Sequence, residues 1–188
     1  VLAASGCAGL RRQAEPGDVA LYRARVSLRD GGTRAFRLLV FASPPDRLHA
    51  EALGPTGAPH LVVDAGSGRI AVAFPGEGVA YVGDADPEAL SRIVGIPVTL
   101  PAFVAFLTLG EVPPIEGVAL RREPAGAGLP REAELSAGSA TLSLTRRQWR
   151  PAPPDPGALG RGTAAPGLAV RPLSDLPDMG LPALGTGP

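Results

Sequence analysis

Ala20-Leu21-Tyr22-Arg23-Ala24-Arg25-Val26-Ser27-Leu28-Arg29-Asp30-Gly31-Gly32, with the return Arg34-Ala35-Phe36-Arg37-Leu38-Leu39-Val40-Phe41-Ala42, decides the fold class. In the first half, Tyr22, Ala24, Val26 and Leu28 share one parity, and Arg23, Arg25, Ser27 and Arg29 share the other. Successive side chains of a strand point to opposite faces, so this period predicts a half-buried strand. Asp30-Gly31-Gly32 predicts a hairpin turn, because glycine takes positive φ without steric cost. The returning strand is apolar on much of both faces, which predicts a central place in a sheet.

The strand-like alternation continues beyond this hairpin. Ser43-Pro44-Pro45-Asp46 predicts a turn, and Arg47 to Leu53 alternates Leu48, Ala50 and Ala52 against Arg47, His49 and Glu51. Beyond the loop Gly54-Pro55-Thr56-Gly57-Ala58-Pro59, strands are expected at 60–65, 69–74 and 78–82, with short glycine-bearing turns between them. Sequential strands with short turns predict an antiparallel meander.

The period then becomes helical. Asp86 suits an N-cap, Pro87 the first helical position and Glu88 the positive first turn, while Gly95 ends the helix. A second helix is expected over about 100–109. It contains Leu100, Phe103, Val104, Phe106, Leu107 and Leu109 and no charged side chain, so it must be buried or cover an apolar surface. Strands are expected again at 118–123, 131–136 and 139–145, and Trp149 closes the folded part. Residues 151–188, rich in Pro and Gly and poor in large apolar side chains, predict a disordered tail, within which 169–173 has the composition of a weak strand or partner-binding segment. The expected organisation is a signal remnant at 1–7, a linker at 8–18, one folded domain at 19–150 and the tail at 151–188.

Composition narrows the function. The 18 basic residues balance 18 acidic ones, and every basic residue is Arg. A neutral chain lacks the basic excess that neutralises nucleic-acid phosphates, so no nucleic-acid partner is expected. With a single cysteine, Cys7, neither an intrachain disulfide nor a cysteine-based zinc site can form. No apolar run is long enough for a membrane-spanning helix.

Cys7 follows the small-residue run Val1-Leu2-Ala3-Ala4-Ser5-Gly6, read here as the end of an export signal. The run resembles a bacterial lipobox, with Ala4 at the position that is usually aliphatic. The resemblance implies acylation of Cys7 by more than one chain, which is what stable anchoring requires. Ala8, in place of the Asp that favours inner-membrane retention, points to the outer membrane.

Catalytic signals are poor. His49 and His60 are the only histidines and are expected to be ordinary exposed residues. The chain has no nucleophile elbow, phosphate loop or dinucleotide fingerprint. A helix cap accounts for Asp86 in Asp84-Ala85-Asp86 without a cation, and Arg121-Arg122 and Arg146-Arg147 each put one residue outward on any strand, which reads as a solvated face, with phosphate or anionic-lipid contact as the lesser alternative. No enzyme activity, cofactor or metal is expected. The positive signal is a one-faced apolar sheet with greasy helices, whose concave interior is filled by side chains or by a guest. Inward candidates are Val26, Phe36, Leu38, Val40, Leu48, Val63, Val72, Phe74, Leu120, Leu135, Leu142 and Leu144, with Leu90, Ile93, Phe103, Phe106 and Leu107 as a covering lid.

Leu53-Gly54-Pro55-Thr56-Gly57, then Asp86-Pro87-Glu88-Ala89-Leu90, then Gly95-Ile96-Pro97-Val98 and the greasy run to Gly110, occur in an order that resembles the LolB-like family of outer-membrane lipoprotein receptors. The likeness extends over about 19–150 and includes Leu129 to Leu135 and Ala140 to Leu144. It implies an incomplete antiparallel β-barrel under a helical lid, anchored at the outer membrane through Cys7 and facing the periplasm. Its cavity would hold lipoprotein acyl chains or lipid received from a periplasmic lipoprotein carrier, and the protein would act as a monomer. The resemblance makes Pro55, Thr56 and Gly57 a membrane-facing loop. The receptor type carries a protruding Leu where this chain has Thr56, and the segment between Gly110 and Leu129 is shorter by about a hairpin.

Overall fold

A computed structural model describes residues 18–27, 32–108, 111–123, 131–151, 162 and 164–177. Among the described residues, ten strands form one sheet: β1 (Asp18–Ser27), β2 (Thr33–Ser43), β3 (Arg47–Leu53), β4 (Pro59–Gly66), β5 (Arg69–Phe74), β6 (Val79–Asp84), β7 (Ala119–Arg122), β8 (Glu132–Ala137), β9 (Ala140–Pro151) and β10 (Ala169–Pro172). Two helices, α1 (Pro87–Val94) and α2 (Leu100–Leu107), follow β6. The spatial order is β10-β6-β5-β4-β3-β2-β1-β9-β8-β7, so β10 and β7 are edges and the sheet does not close.

The mainly β reading with two short helices holds, and the meander from β1 to β6 pairs in sequence order. One expectation is corrected: the sheet is mixed, because β10 runs parallel to β6. The C-terminal strands return to the other side of β1, where β9 makes a long antiparallel pair with it. There Trp149 donates its indole N–H to the Asp18 carboxylate at 2.8 Å.

Register assigns the faces. Tyr22 lies opposite Leu38, Leu38 opposite Ala52, and Ala52 opposite Leu61. Val63 continues this face to Val72 and Val72 to Tyr81, while on the other side Val26 meets Leu142 and Leu142 meets Leu135. Directly opposed residues of an antiparallel pair share a face, so these apolar side chains form one continuous surface. It packs with both helices into a single hydrophobic cluster.

Each helix has the ends that its sequence predicts. The Asp86 carboxylate accepts the Ala89 N–H at 2.7 Å, Arg92 pairs with Glu88 at 2.7 Å, and Gly95 turns the chain out at φ 79°. In α2, Thr99 is the N-cap, accepting the Ala102 N–H at 3.3 Å. The helix ends at Leu107, short of the expected 109, and Thr108 bonds back to the Val104 carbonyl. Arg122 on β7 donates to the Ala105 and Thr108 carbonyls at 3.3 and 3.0 Å. Arg121 is exposed and Arg122 half-buried, matching the single outward residue expected of the pair, and the Arg122 guanidinium satisfies the carbonyl end of α2, where positive charge also suits the helix dipole.

Within the segment expected to be a disordered tail, the weak strand read at 169–173 is present as β10. Ala169 donates to the Gly78 carbonyl, β10 extends the sheet edge, and a short 3₁₀ turn at Leu173–Asp175 follows. Leu173 and Leu176 are buried in the core cluster. Gly83 makes this docking possible, because a Cβ there would stand 2.6 Å from the Leu173 Cβ. Two buried leucines and one sheet edge supply what average composition failed to reveal.

Candidate functional site

Between the sheet and the helices lies a cavity of about 50 Å³. From the sheet it is lined by Phe36, Leu38, Val40, Leu48, Ala50, Ala52, Leu61, Val63 and Leu142, and from the helices by Leu90, Ile93, Val94, Phe103 and Leu107. Among the described residues every lining side chain is apolar, which suits a hydrocarbon surface.

The predicted residues separate into two sets. Phe36, Leu38, Val40, Leu48, Val63, Leu142, Leu90, Ile93, Phe103 and Leu107 reach the cavity. Val26, Val72, Phe74, Leu135, Leu144 and Phe106 are buried in the core around it, and Leu120 packs half-buried against that core. Phe106 stacks on Phe103 with ring centroids 6.2 Å apart, and Phe74 meets Tyr81 edge-on at 6.0 Å. Ala50, Ala52, Leu61 and Val94 line the cavity without having been singled out in the sequence; the two alanines leave room that larger residues would fill. Pro55, Thr56 and Gly57 are exposed at the β3–β4 turn, which Arg37 braces by donating to the Gly54 carbonyl at 2.9 Å. Cys7 lies outside the described residues.

Tyr22 shows how dry this side of the sheet is. Burial pushes its phenol up to about 12, against a lowering by Arg146 and a smaller rise from Asp18. The phenol therefore stays neutral.

On the opposite face, His49 is not the exposed residue expected from sequence. It is largely buried, with Nδ1 at 3.1 Å from Asp64 and Nε2 at 3.1 Å from Glu51. Asp64 also accepts the Gly162 N–H at 2.7 Å, so the cluster ties the C-terminal segment to β4. Register brings His49 opposite Asp64, while Glu51 shares its face two residues along the strand. Both ring nitrogens are engaged by carboxylates, and among the described residues no group of His, Cys, Asp or Glu is arranged to hold a metal ion. His60 is exposed beside Gly54.

Burial is the largest influence on His49 and lowers its pKa, but the hydrogen bonds and charges of Asp64 and Glu51 together outweigh it and raise the pKa above 6.5. A raised histidine pKa contributes stability that is complete below the unfolded value and disappears as pH rises through the folded value. Urea midpoints should therefore fall from pH 6.5 upward for the wild-type chain, and His49→Gln should remove that part of the pH dependence. An unchanged pH profile in the variant refutes the assignment.

No family model matches this chain, and no curated protein is significantly similar to it. Among the described residues, no helix is long and apolar enough to cross a membrane.

Proposed function

We propose that this chain is an outer-membrane lipoprotein that binds acyl chains of lipoproteins or lipids beneath α1 and α2 and takes part in their localisation. In this reading the open sheet is an incomplete barrel, the helices are its lid, and Cys7 is the lipid anchor. The observation that carries the proposal is the cavity wall, which is apolar throughout and is shared by four strands and both helices. The greasy Gly95–Leu107 segment and the lipobox-like start support it.

The resting cavity, about 50 Å³, is a third of the roughly 150 Å³ that accommodates a benzene-sized guest. Loading an acyl chain therefore requires the helices to move away from the sheet. The capped ends at Gly95 and Thr99 make the connection between them the natural hinge. Each buried methylene contributes about 0.8 kcal/mol, so a long chain can offset that movement. Transfer needs only a difference in affinity between donor, cavity and membrane, with no covalent step.

Displacement of a fluorescent long-chain fatty acid tests the proposal. Wild-type protein should bind the probe saturably. Ala52→Leu adds an isopropyl group at the cavity wall and should weaken binding about tenfold or more while keeping the unfolding midpoint. Ala50→Val is a gentler filling should the first variant fold poorly. Absence of probe binding by the wild-type protein would refute the proposal.

The small resting volume favours a second reading: a structural or assembly lipoprotein with a filled interior that binds a protein partner at the cell envelope. It predicts no probe binding and a rise in stability when Ala52→Leu fills the void.

A further inference from the structure

The outer face of β1, β2 and β9 carries a groove of about 470 Å³, which shares only Phe36 with the apolar cavity among the described lining residues. It is lined by Leu21, Ala35, Leu53 and Pro55 together with Arg23, Arg37 and Arg147. All three arginines are exposed. Arg23 is directly opposite Arg37 in the β1–β2 register, and like charges in that position repel. The β9 register slips between Leu21 and Tyr22, where Gln148 and Arg146 are the paired residues. Arg147 is therefore the extra residue of a bulge, a device that re-aims a side chain, and here it faces the groove.

Among the described residues, no carboxylate lines the groove. Among the described residues, Arg23 and Arg147 have no acidic partner, and Arg37 is bonded to a backbone carbonyl. Glu51, on the neighbouring strand of the same face, is held by His49. In a chain whose total charge is zero, three arginines line one concavity without a counter-charge among the described residues. Planar guanidinium groups suit phosphate oxygens, and the apolar floor suits the carbon attached to that phosphate.

We propose that this groove binds the phosphate headgroup of an anionic phospholipid, with Arg23, Arg37 and Arg147 on the phosphate and Leu21, Leu53 and Pro55 against the adjoining glycerol and first methylenes. The contact would lay the outer face of β1 and β2 against a bilayer surface. It does not depend on whether the cavity beneath α1 and α2 is filled.

The test is co-sedimentation of the unacylated 188-residue chain with vesicles of phosphatidylcholine alone or containing one part phosphatidylglycerol in three. Binding is expected only with phosphatidylglycerol and should weaken as salt rises. With roughly fivefold affinity per arginine at an anionic surface, Arg23→Gln with Arg147→Gln should weaken it about 30-fold. Both residues are exposed, and the change removes the Arg23–Arg37 repulsion, so the urea midpoint should not fall. Fatty-acid probe displacement measured on the same samples should be unchanged by the double variant, which separates failure of the groove from failure of the cavity. Equal binding to neutral vesicles, or binding indifferent to the double variant, overturns the proposal. A midpoint raised by inorganic phosphate without vesicle binding overturns it in favour of a free-phosphate site. Retention on an immobilised acidic polypeptide without vesicle binding overturns it in favour of a protein partner.

Discussion

Phe106→Ala should cost about 3–5 kcal/mol of stability, read as the shift in the urea unfolding midpoint at constant slope. Phe106 is completely buried and does not line the cavity, so truncation opens a new void in packed structure. Its ring stacks on Phe103, which loses its partner at the same time. Single domains are stable by only about 5–15 kcal/mol, so this one change can remove much of the fold's margin. Phe103→Ala should cost less, because Phe103 already faces open volume and its removal enlarges an existing space. Equal losses at the two positions would show that the division between packed core and cavity wall is wrong. The comparison also separates two effects that a single aspartate substitution in α2 would confuse, loss of the lid's interior and loss of guest contact.

Leu173→Ala combined with Leu176→Ala should cost roughly 4 kcal/mol and release the C-terminal segment. The two leucines are 8 % and 3 % exposed and join the core cluster through a turn that touches β6 and α1. Apart from them the segment has little to hold it. β10 has only four residues, all exposed, and Val170 is 63 % exposed. Arg92 adds one bond to the Ser174 carbonyl at 3.3 Å, and Asp64 holds Gly162. With the leucines gone, the strand alone is too short to stay paired, and a parallel edge pairing is the weaker kind. Limited proteolysis should then cut within 162–177 in the variant and spare the wild type. Wild-type cleavage at the same rate would mean that the segment is not docked in solution. Once it is released, β6 becomes an unpaired edge, so the variant should also self-associate more readily.

The secondary-structure elements are written in short-range signals along the chain. Alternation at Tyr22, Ala24 and Val26 marked a half-buried strand because strand geometry has a period of two whatever the strand pairs with. Asp86, Pro87 and Gly95 marked α1 because caps act within a single turn. The apolar run from Leu100 to Leu107 marked a buried helix, and ten of the residues singled out for the interior do line the cavity. Each of these signals is local, so the chain carries it before folding.

Contacts between distant segments needed the tertiary structure. His49 and His60 look alike in sequence, yet only His49 stands between two carboxylates, because the β3–β4 register brings Asp64 across from it. Arg121 and Arg122 are adjacent in sequence, and strand pairing alone sends Arg122 to the end of α2. The tail's composition predicts disorder, but two leucines dock where Gly83 leaves space for one of them. The Arg23–Arg37 opposition and the bulge at Arg147 follow from β1 lying between β2 and β9, strands that lie far apart in the chain. Local propensity acts over a few residues, whereas register, edge pairing and charge convergence are set by which surfaces the whole chain buries together.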